Sequence, residues 1–333
     1  MDENKFTGGM PPEMAAFWTD YTEKKRIHRT AWAVTAPGLV FFAVSFFISA
    51  ILVFIGTRAG LSTEKIREIV SEPAANEVLQ IILSLLLMTV PFIAFSKLDK
   101  FSVSRNGGFN RPKKGTTSAS VMFGLGFCAF ANIAVSAAGE LFRSFGFHSN
   151  VPESAYPEGV FGFLLAVIST AIVPGLVEEF AFRGIVLGLL RPYGDAFAIV
   201  SSAAVFGILH GNFEQMPFAF LVGLALGFIR IKSGSLIVCM VIHAANNLIA
   251  VLLSFANDLS VVATNICYTV YLLLALTAAV LGILFLKGKV GFSFPAPERR
   301  ITARKTYVYF FFSPAMILFM MVFLFRALTF VLF

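Results

Sequence analysis

The sequence predicts an all-α, polytopic transmembrane bundle of about nine helices with its N-terminus in the cytoplasm. Composition is the first reason: of 333 residues, 57% are hydrophobic and 14% are charged, whereas a soluble domain carries about 25% charged residues. The second reason is a series of long uncharged windows, and the third is the clustering of Lys and Arg in alternate connections. A soluble enzyme, a nucleic-acid-binding domain and a disordered chain are excluded for the chain as a whole.

The windows fix the number of helices. A helix that crosses about 30 Å of hydrocarbon needs about 20 apolar residues. Uncharged windows cover residues 31–56, 78–96, 115–139, 159–177, 196–213, 215–229, 233–257, 259–286 and 306–325. The fourth window is expected to continue past two glutamates to about residue 190. The fifth and sixth are short, and the stretch from His210 to Pro217 predicts a turn between two antiparallel helices.

Basic residues in the connections fix the orientation. With nine helices, the N-terminal segment and the even-numbered connections carry 20 Lys and Arg residues, and the odd-numbered connections carry four. Because cytoplasmic loops are enriched in Lys and Arg, the 20 are placed in the cytoplasm. The net charge of +7 is explained by this topology and does not indicate a nucleic-acid partner. The C-terminus is then predicted outside.

The chain is divided along these helices into four parts. Residues 1–30 are predicted as a cytoplasmic tail in which Phe17, Trp18 and Tyr21 form an amphipathic start at the interface. Residues 31–158 hold N-terminal transmembrane helices, 159–255 the catalytic core, and 256–333 the C-terminal transmembrane helices. The three cysteines lie in apolar stretches without CxxC spacing, so neither a disulfide framework nor a cysteine metal site is expected.

Polar residues within the apolar windows identify a candidate site, because ionisable side chains inside a membrane are costly. They fall on three predicted helices. The set comprises Glu178, Glu179, Arg183, His210, His243, Asn246 and Asn247. It exceeds what helix packing needs, since an interhelical hydrogen bond in a membrane contributes only about 0.6 kcal/mol on average.

Helical spacing groups these residues further. Glu179 and Arg183 are four residues apart and can pair on one helix face, while Glu178 points about 100° away. His243 and Asn247 share the same spacing, as do Phe206 and His210. Pro174 has no backbone N–H, so we expect an unpaired carbonyl near Thr170 and a place for water beside the carboxylates.

A carboxylate, two imidazoles and an amide suit the hydrolysis of a substrate by an activated water. A desolvated glutamate can take a proton from water, and histidine and asparagine N–H groups can hold an oxyanion. The sequence contains no GxSxG, GxGD or HExxH motif, which disfavours the serine, aspartyl and common zinc protease types. A zinc site formed by Glu178, His210 and His243 remains open at this point.

The motifs EEFAFR (Glu178 to Arg183), FGILH (Phe206 to His210) and HAANN (His243 to Asn247) resemble those of the CPBP family, the type II CAAX prenyl endopeptidases and their Abi-type relatives. The resemblance covers about residues 159–255. It implies an intramembrane glutamic endopeptidase. In this reading Glu178 activates water with His210 as proton-transfer partner. His243 and Asn247 stabilise the oxyanion, and the Glu179–Arg183 pair supports the site.

This interpretation predicts an enzyme without a cofactor whose substrate is a peptide or a lipidated protein. It places the protein among the lipids of a bacterial cell membrane. Three alternatives stay open beside it. The first is a zinc-dependent membrane protease that uses the same Glu and His residues. The second is a non-catalytic scaffold or immunity protein of the same fold. The third, a proton-relaying transporter, is disfavoured because no inverted repeat is visible. The sequence predicts no oligomeric state.

Overall fold

The computed structural model describes residues 10–146, 156–295 and 300–332, which form helices and connecting turns without a strand among them. Nine apolar helices within these residues follow the predicted order. They are α1 (Pro12–Arg58), α2 (Pro73–Asp99), α3 (Thr117–Ser144), α4 (Gly159–Tyr193), α5 (Asp195–Leu209), α6 (Gln215–Ser233), α7 (Leu236–Leu259), α8 (Val261–Lys289) and α9 (Pro314–Leu332). Eight are long and apolar enough to cross a membrane, and α5 is shorter. The chain is a multi-pass integral membrane protein with an all-α fold.

Four boundaries differ from the sequence prediction. The helix that contains the first window begins at Pro12, so residues 12–30 are helical and continuous with it, and residues 1–9 lie outside the described part of the chain. Helix α2 begins at Pro73 and therefore includes Glu77. Helix α5 ends at Leu209. The last window is split between Ala303–Phe311 and α9, because Pro314 lacks the N–H that would continue the first helix.

Helix α4 lies at the centre of the bundle. Its buried side chains Val177, Phe182 and Ile185 belong to one apolar cluster together with residues of α1 and α9, among them Phe319 and Phe323. At the periphery, large apolar side chains such as Phe46 and Leu273 are exposed. An exposed apolar surface of this kind is suited to lipid. The site residues of α4 are thus held by packing on several sides.

Small residues allow two peripheral helices to pack closely. A Cβ atom on Gly126 of α3 would lie 2.3 Å from the Cβ of Ala279 on α8, and one on Gly282 of α8 would lie 2.8 Å from the carbonyl oxygen of Ala119. Membrane helices associate through such small-residue contacts because lipid provides no hydrophobic driving force between them. Helices α3 and α8 therefore form a tightly packed pair beside the site helices.

Several helix ends meet at one surface, which we call the basic face. Asp20 near the start of α1 accepts hydrogen bonds from Lys305 (2.7 Å) and Tyr309 (2.6 Å), just before α9. Thr30 of α1 lies 2.9 Å from the hydroxyl of Tyr193 at the end of α4. These contacts place the start of α1, the end of α4 and the start of α9 together. This placement agrees with nine helices that cross the bundle in alternating directions.

Two further contacts extend the basic face. Lys232 at the end of α6 donates to the carbonyl oxygen of Ser293, which follows α8. The backbone N–H of Leu236 at the start of α7 donates to Gly108, in the loop after α2. Helix α5 therefore leaves the basic face and α6 returns to it, so both count as traversals although α5 is short.

We predict that the basic face is cytoplasmic and that the loop after α1 lies on the opposite side. In a Cys267→Ser background, a membrane-impermeant maleimide should label Lys114→Cys only from the cytoplasmic side and Leu61→Cys only from the other side. The measurement uses sealed vesicles of both orientations, with lysed vesicles as the control for reactivity. Labelling of both positions from the same side would contradict the nine-traversal topology.

Candidate active site

Helix α4 departs from α-helical geometry on both sides of the two glutamates. A π-helical segment covers Val167–Ile172, an α-helical segment covers Val173–Glu179, and a second π-helical segment covers Phe180–Val186. Such π segments are rare and occur frequently at functional sites. Because each changes the angular offset along the helix, the two glutamates have an orientation that an unbroken α-helix would not give them.

Pro174 creates a local break that a neighbouring helix repairs. An α-helical N–H at position 174 would bond to the carbonyl of Thr170, but proline has none. The side-chain amide of Asn247 on α7 donates to that carbonyl at 2.9 Å. The expectation of an unpaired carbonyl near Thr170 is therefore wrong, because Asn247 satisfies it. The same hydrogen bond ties α7 to α4 beside the glutamates.

Glu179 lies at the centre of the site and is fully buried, at 0% exposure. Its Oε1 atom accepts from Nη1 of Arg183 at 2.8 Å, which is the pair expected from the four-residue spacing. The same Oε1 atom lies 2.8 Å from Nδ1 of His243 on α7. One carboxylate oxygen thus joins a cation on its own helix to an imidazole on the next.

The contact with Glu179 fixes which nitrogen of His243 faces the site. A carboxylate can only accept, so Nδ1 is the donor, and the other nitrogen, Nε2, is left free of Glu179. That Nε2 atom lies 4.0 Å from Oε2 of Glu178. The distance is too long for a direct hydrogen bond. It leaves a gap between a carboxylate and an imidazole nitrogen that a small polar group can bridge.

His210 is oriented by its own helix. Its Nδ1 atom lies 2.9 Å from the carbonyl oxygen of Phe206, so Nδ1 donates and Nε2 carries the lone pair. The rings of His210 and His243 both lie beside Phe206, and His243 in turn faces Glu178. The three side chains that sequence spacing placed on three separate helices therefore lie in one neighbourhood.

The ring of Phe206 packs close to both imidazoles and to the supporting arginine. It packs edge-to-face with His210 at 4.9 Å between ring centres, and its centre lies 6.2 Å from that of His243. The guanidinium carbon of Arg183 is 4.4 Å from the ring centre. A desolvated cation–π contact contributes about 2 kcal/mol. Phe206 therefore adds a cation–π contact to Arg183 and an aromatic contact to His210.

The two glutamates differ sharply in their surroundings. The side chain of Glu178 is 21% exposed, and its one ion-pair contact among the described residues is the long one to His243. The side chain of Glu179 is fully buried, and its Oε1 atom accepts hydrogen bonds from Arg183 and His243. The arrangement leaves Glu178 as the carboxylate that can reach a reactant.

Close approach of α4 and α7 makes this geometry possible. A Cβ atom on Gly175 would lie 2.8 Å from the Cβ of Ala244 and 2.9 Å from its backbone nitrogen. No larger side chain fits between the helices at this level. Gly175 and Ala244 lie within one turn of Glu178 and His243, so their small size sets the distance between the site residues.

One buried carboxylate near the site was missed by the sequence analysis. Glu77 on α2 is 2% exposed and accepts a hydrogen bond from Ser169, which lies in the first π-helical segment. Glu77 directly precedes the uncharged window 78–96 and was taken as lying outside the helix. The signal that could have found it is Pro73, because proline is typical of the first turn of a helix.

The zinc alternative requires at least three ligands that converge. Within residues 10–146, 156–295 and 300–332, no group of three His, Cys, Asp or Glu side chains is arranged so that it could hold a metal ion. His243 presents one nitrogen to Glu179, and His210 presents one to a backbone carbonyl. Each therefore has only its Nε2 atom left for a ligand.

Comparison with known proteins identifies one similarity. Residues 160–249 match the family model described as Type II CAAX prenyl endopeptidase Rce1-like. The matched segment contains all three motifs and leaves α1–α3, α8 and α9 outside it. No curated protein and no solved structure matches the chain. The match confirms the family resemblance of the three motifs and supports a membrane protease as the broad class of activity.

We predict that the two glutamates contribute unequally to stability. Glu179→Gln leaves Arg183 buried without its counter-charge, a change that costs about 3–5 kcal/mol, whereas Glu178→Gln removes no close ion pair. The measurement is thermal unfolding of both purified variants in detergent. The double variant Glu179→Gln with Arg183→Met, which removes both charges, is the control and should recover much of the loss. Equal unfolding temperatures for the two single variants would contradict the assignment.

Proposed function

We propose that this chain, with its CAAX-endopeptidase-like segment, is an intramembrane endopeptidase that uses Glu178 and His210 to activate a water molecule. Its substrates are peptides or lipidated proteins at the membrane. Counted from the end of the α-helical part of α4 at Leu190, Glu178 lies about 18 Å from the basic face. The scissile bond is therefore cleaved inside the bundle, and a bacterial cell membrane is the proposed location.

The observation that carries the proposal is the division of roles between adjacent glutamates. Glu179 is held at 2.8 Å by both Arg183 and His243. Glu178 is half-buried and faces Nε2 of His243 across 4.0 Å. A water oxygen in this gap can bond to the carboxylate on one side and approach the histidines on the other. This is the geometry that a general base needs.

The proposed reaction proceeds through a tetrahedral intermediate. Glu178 takes a proton from the water, and the oxygen attacks the carbonyl carbon of the peptide bond. The proton then reaches the leaving amine, with His210 as the relay because its Nε2 lone pair is free of the helix. Collapse of the intermediate breaks the C–N bond and releases a new carboxylate and an amine.

Two donors are available for the oxyanion. Nε2 of His243 faces Glu178 and donates in the imidazolium form, in which both ring nitrogens carry a proton. The amide nitrogen of Asn247 has two hydrogens, one of which is used on Thr170. The side-chain oxygen of Asn247 accepts a hydrogen bond from the side-chain amide of Asn246 at 3.1 Å, which fixes the orientation of the Asn247 amide. The second amide hydrogen is left for the substrate.

We predict a graded loss of turnover in site variants. Glu178→Gln keeps the shape but removes the base, so the rate should fall by about 10²–10⁴, and His210→Ala should be nearly as severe. Asn247→Ala should cost about 10²–10³ and should also lower the unfolding temperature, because Thr170 loses its donor.

Turnover is measured in proteoliposomes with internally quenched peptides, with and without a lipid anchor. A conservative change far from the site, Thr277→Ser on α8, serves as the control. Wild-type turnover in Glu178→Gln together with loss of turnover in a folded Glu179→Gln protein would reverse the two roles. Unchanged turnover in every site variant would overturn the assignment of these residues, and no turnover in the wild type with any of the peptides would support the scaffold alternative.

We also predict that turnover does not depend on a metal ion. Treatment with a membrane-permeant chelator followed by dialysis should leave the rate within about twofold of the untreated enzyme, because the proposed water is activated by a carboxylate. The check is the rate before and after chelation and after zinc is added back. Loss on chelation and recovery with zinc would establish the metalloprotease alternative.

A further inference from the structure

A cavity of about 400 Å³ opens at the basic face, away from the glutamates. It lies between the loop after α2, the end of α4 and the end of α6. Three arginines line it, one from each segment: Arg105, Arg191 and Arg230. The amides of Asn106 and Asn110 add further donors, and no Asp or Glu lines the cavity. Its walls therefore present positive charge and N–H groups.

Arg230 is the most informative of the three. It is 6% exposed, and its Nε atom has no hydrogen-bond partner within the described residues. Arg191 lines the same cavity, and both side chains are cations. A buried guanidinium without a counter-charge is costly, so an anion in the cavity would stabilise the folded protein.

The guanidinium group of Arg230 lies against Gly108 in the loop after α2. Gly108 has a φ of +81°, and a Cβ atom there would lie 1.6 Å from Nη2 of Arg230. A residue other than glycine would displace the guanidinium. The carbonyl of Gly108 accepts from the N–H of Leu236 at 2.8 Å, and the N–H of Lys113 donates to Ser233 at 2.9 Å. The loop is thereby fixed against the turn between α6 and α7.

The other two arginines leave donors free. The Nε atom of Arg191 donates a hydrogen bond to Asp195 at 2.9 Å, so the two terminal nitrogens of Arg191 are left to bind a ligand. Arg105 is exposed on the short helix Val103–Asn106 within the loop after α2 and makes no ion pair among the described residues. Guanidinium groups bind phosphate oxygens with two parallel hydrogen bonds. Three such groups with two amides around one cavity match a phosphate better than a single carboxylate.

We propose that this cavity binds the phosphate group of an anionic phospholipid headgroup. It lies where three membrane helices end on the face predicted to be cytoplasmic, and basic pockets between such helices recognise anionic lipids. A free phosphate ion offers the same chemistry and is the second source. The proposal does not rest on the endopeptidase assignment, because its test measures binding and not turnover.

The test is the thermal unfolding of the full chain in neutral detergent, with increasing concentrations of three probes. These are dioctanoyl phosphatidylglycerol, dioctanoylglycerol with the same acyl chains but no phosphate, and inorganic phosphate. We expect the phosphatidylglycerol to raise the unfolding temperature and the dioctanoylglycerol to have no effect. A response to phosphatidylglycerol alone identifies the headgroup as the source, and an equal response to inorganic phosphate identifies the free ion.

Variants connect the response to the cavity. Arg230→Gln should raise the half-saturating lipid concentration about tenfold or more, since a hydrogen bond to a charged group contributes about 1.5–3 kcal/mol. Arg105→Gln, on an exposed loop where folding is not at risk, should also weaken binding. Arg111→Gln removes the same charge from the same loop outside the cavity and should stay within about twofold of the wild type. Equal responses in all three variants, or no response to either phosphate-bearing probe, would overturn the proposal.

Discussion

The site depends on a single oxygen atom, Oε1 of Glu179, which is shared by Arg183 and His243 at 2.8 Å each. Arg183 neutralises a carboxylate that would be costly to bury alone. His243 gains a fixed orientation, with Nδ1 bound and Nε2 directed toward Glu178. Without this contact the imidazole would be free to rotate, and the two glutamates would compete for the same partners.

The irregular backbone of α4 allows the contact between Glu179 and His243. Pro174 and the π segments on both sides of the glutamates interrupt the regular backbone. Asn247 satisfies the carbonyl that proline leaves unpaired, and the lack of a side chain at Gly175 lets α7 approach. The neighbouring helix therefore compensates for the interrupted backbone of α4 at the level of the charged side chains.

Much of this arrangement could be predicted from the sequence because its rules are local. Uncharged windows locate the helices, and the four-residue spacing predicts the Glu179–Arg183 pair, since neither depends on distant partners. The bond from Asn247 to Thr170 joins residues far apart in sequence, and spacing alone could not reveal it. Glu77 was missed because a charge was taken to end a window, whereas the fold buries it against Ser169. The roles of the site residues remain predictions.

Glu179, and not Glu178, holds His243 through Nδ1. The most direct test is nitrogen NMR of the full chain labelled with ¹⁵N-histidine, which reports the protonation of each ring nitrogen. His243→Gln assigns the signal, since the chain has only four histidines. We expect a proton on Nδ1 of His243 at neutral pH, with a large change of that signal in Glu179→Gln but a small one in Glu178→Gln. An unprotonated Nδ1, or a signal that responds only to Glu178→Gln, would contradict it.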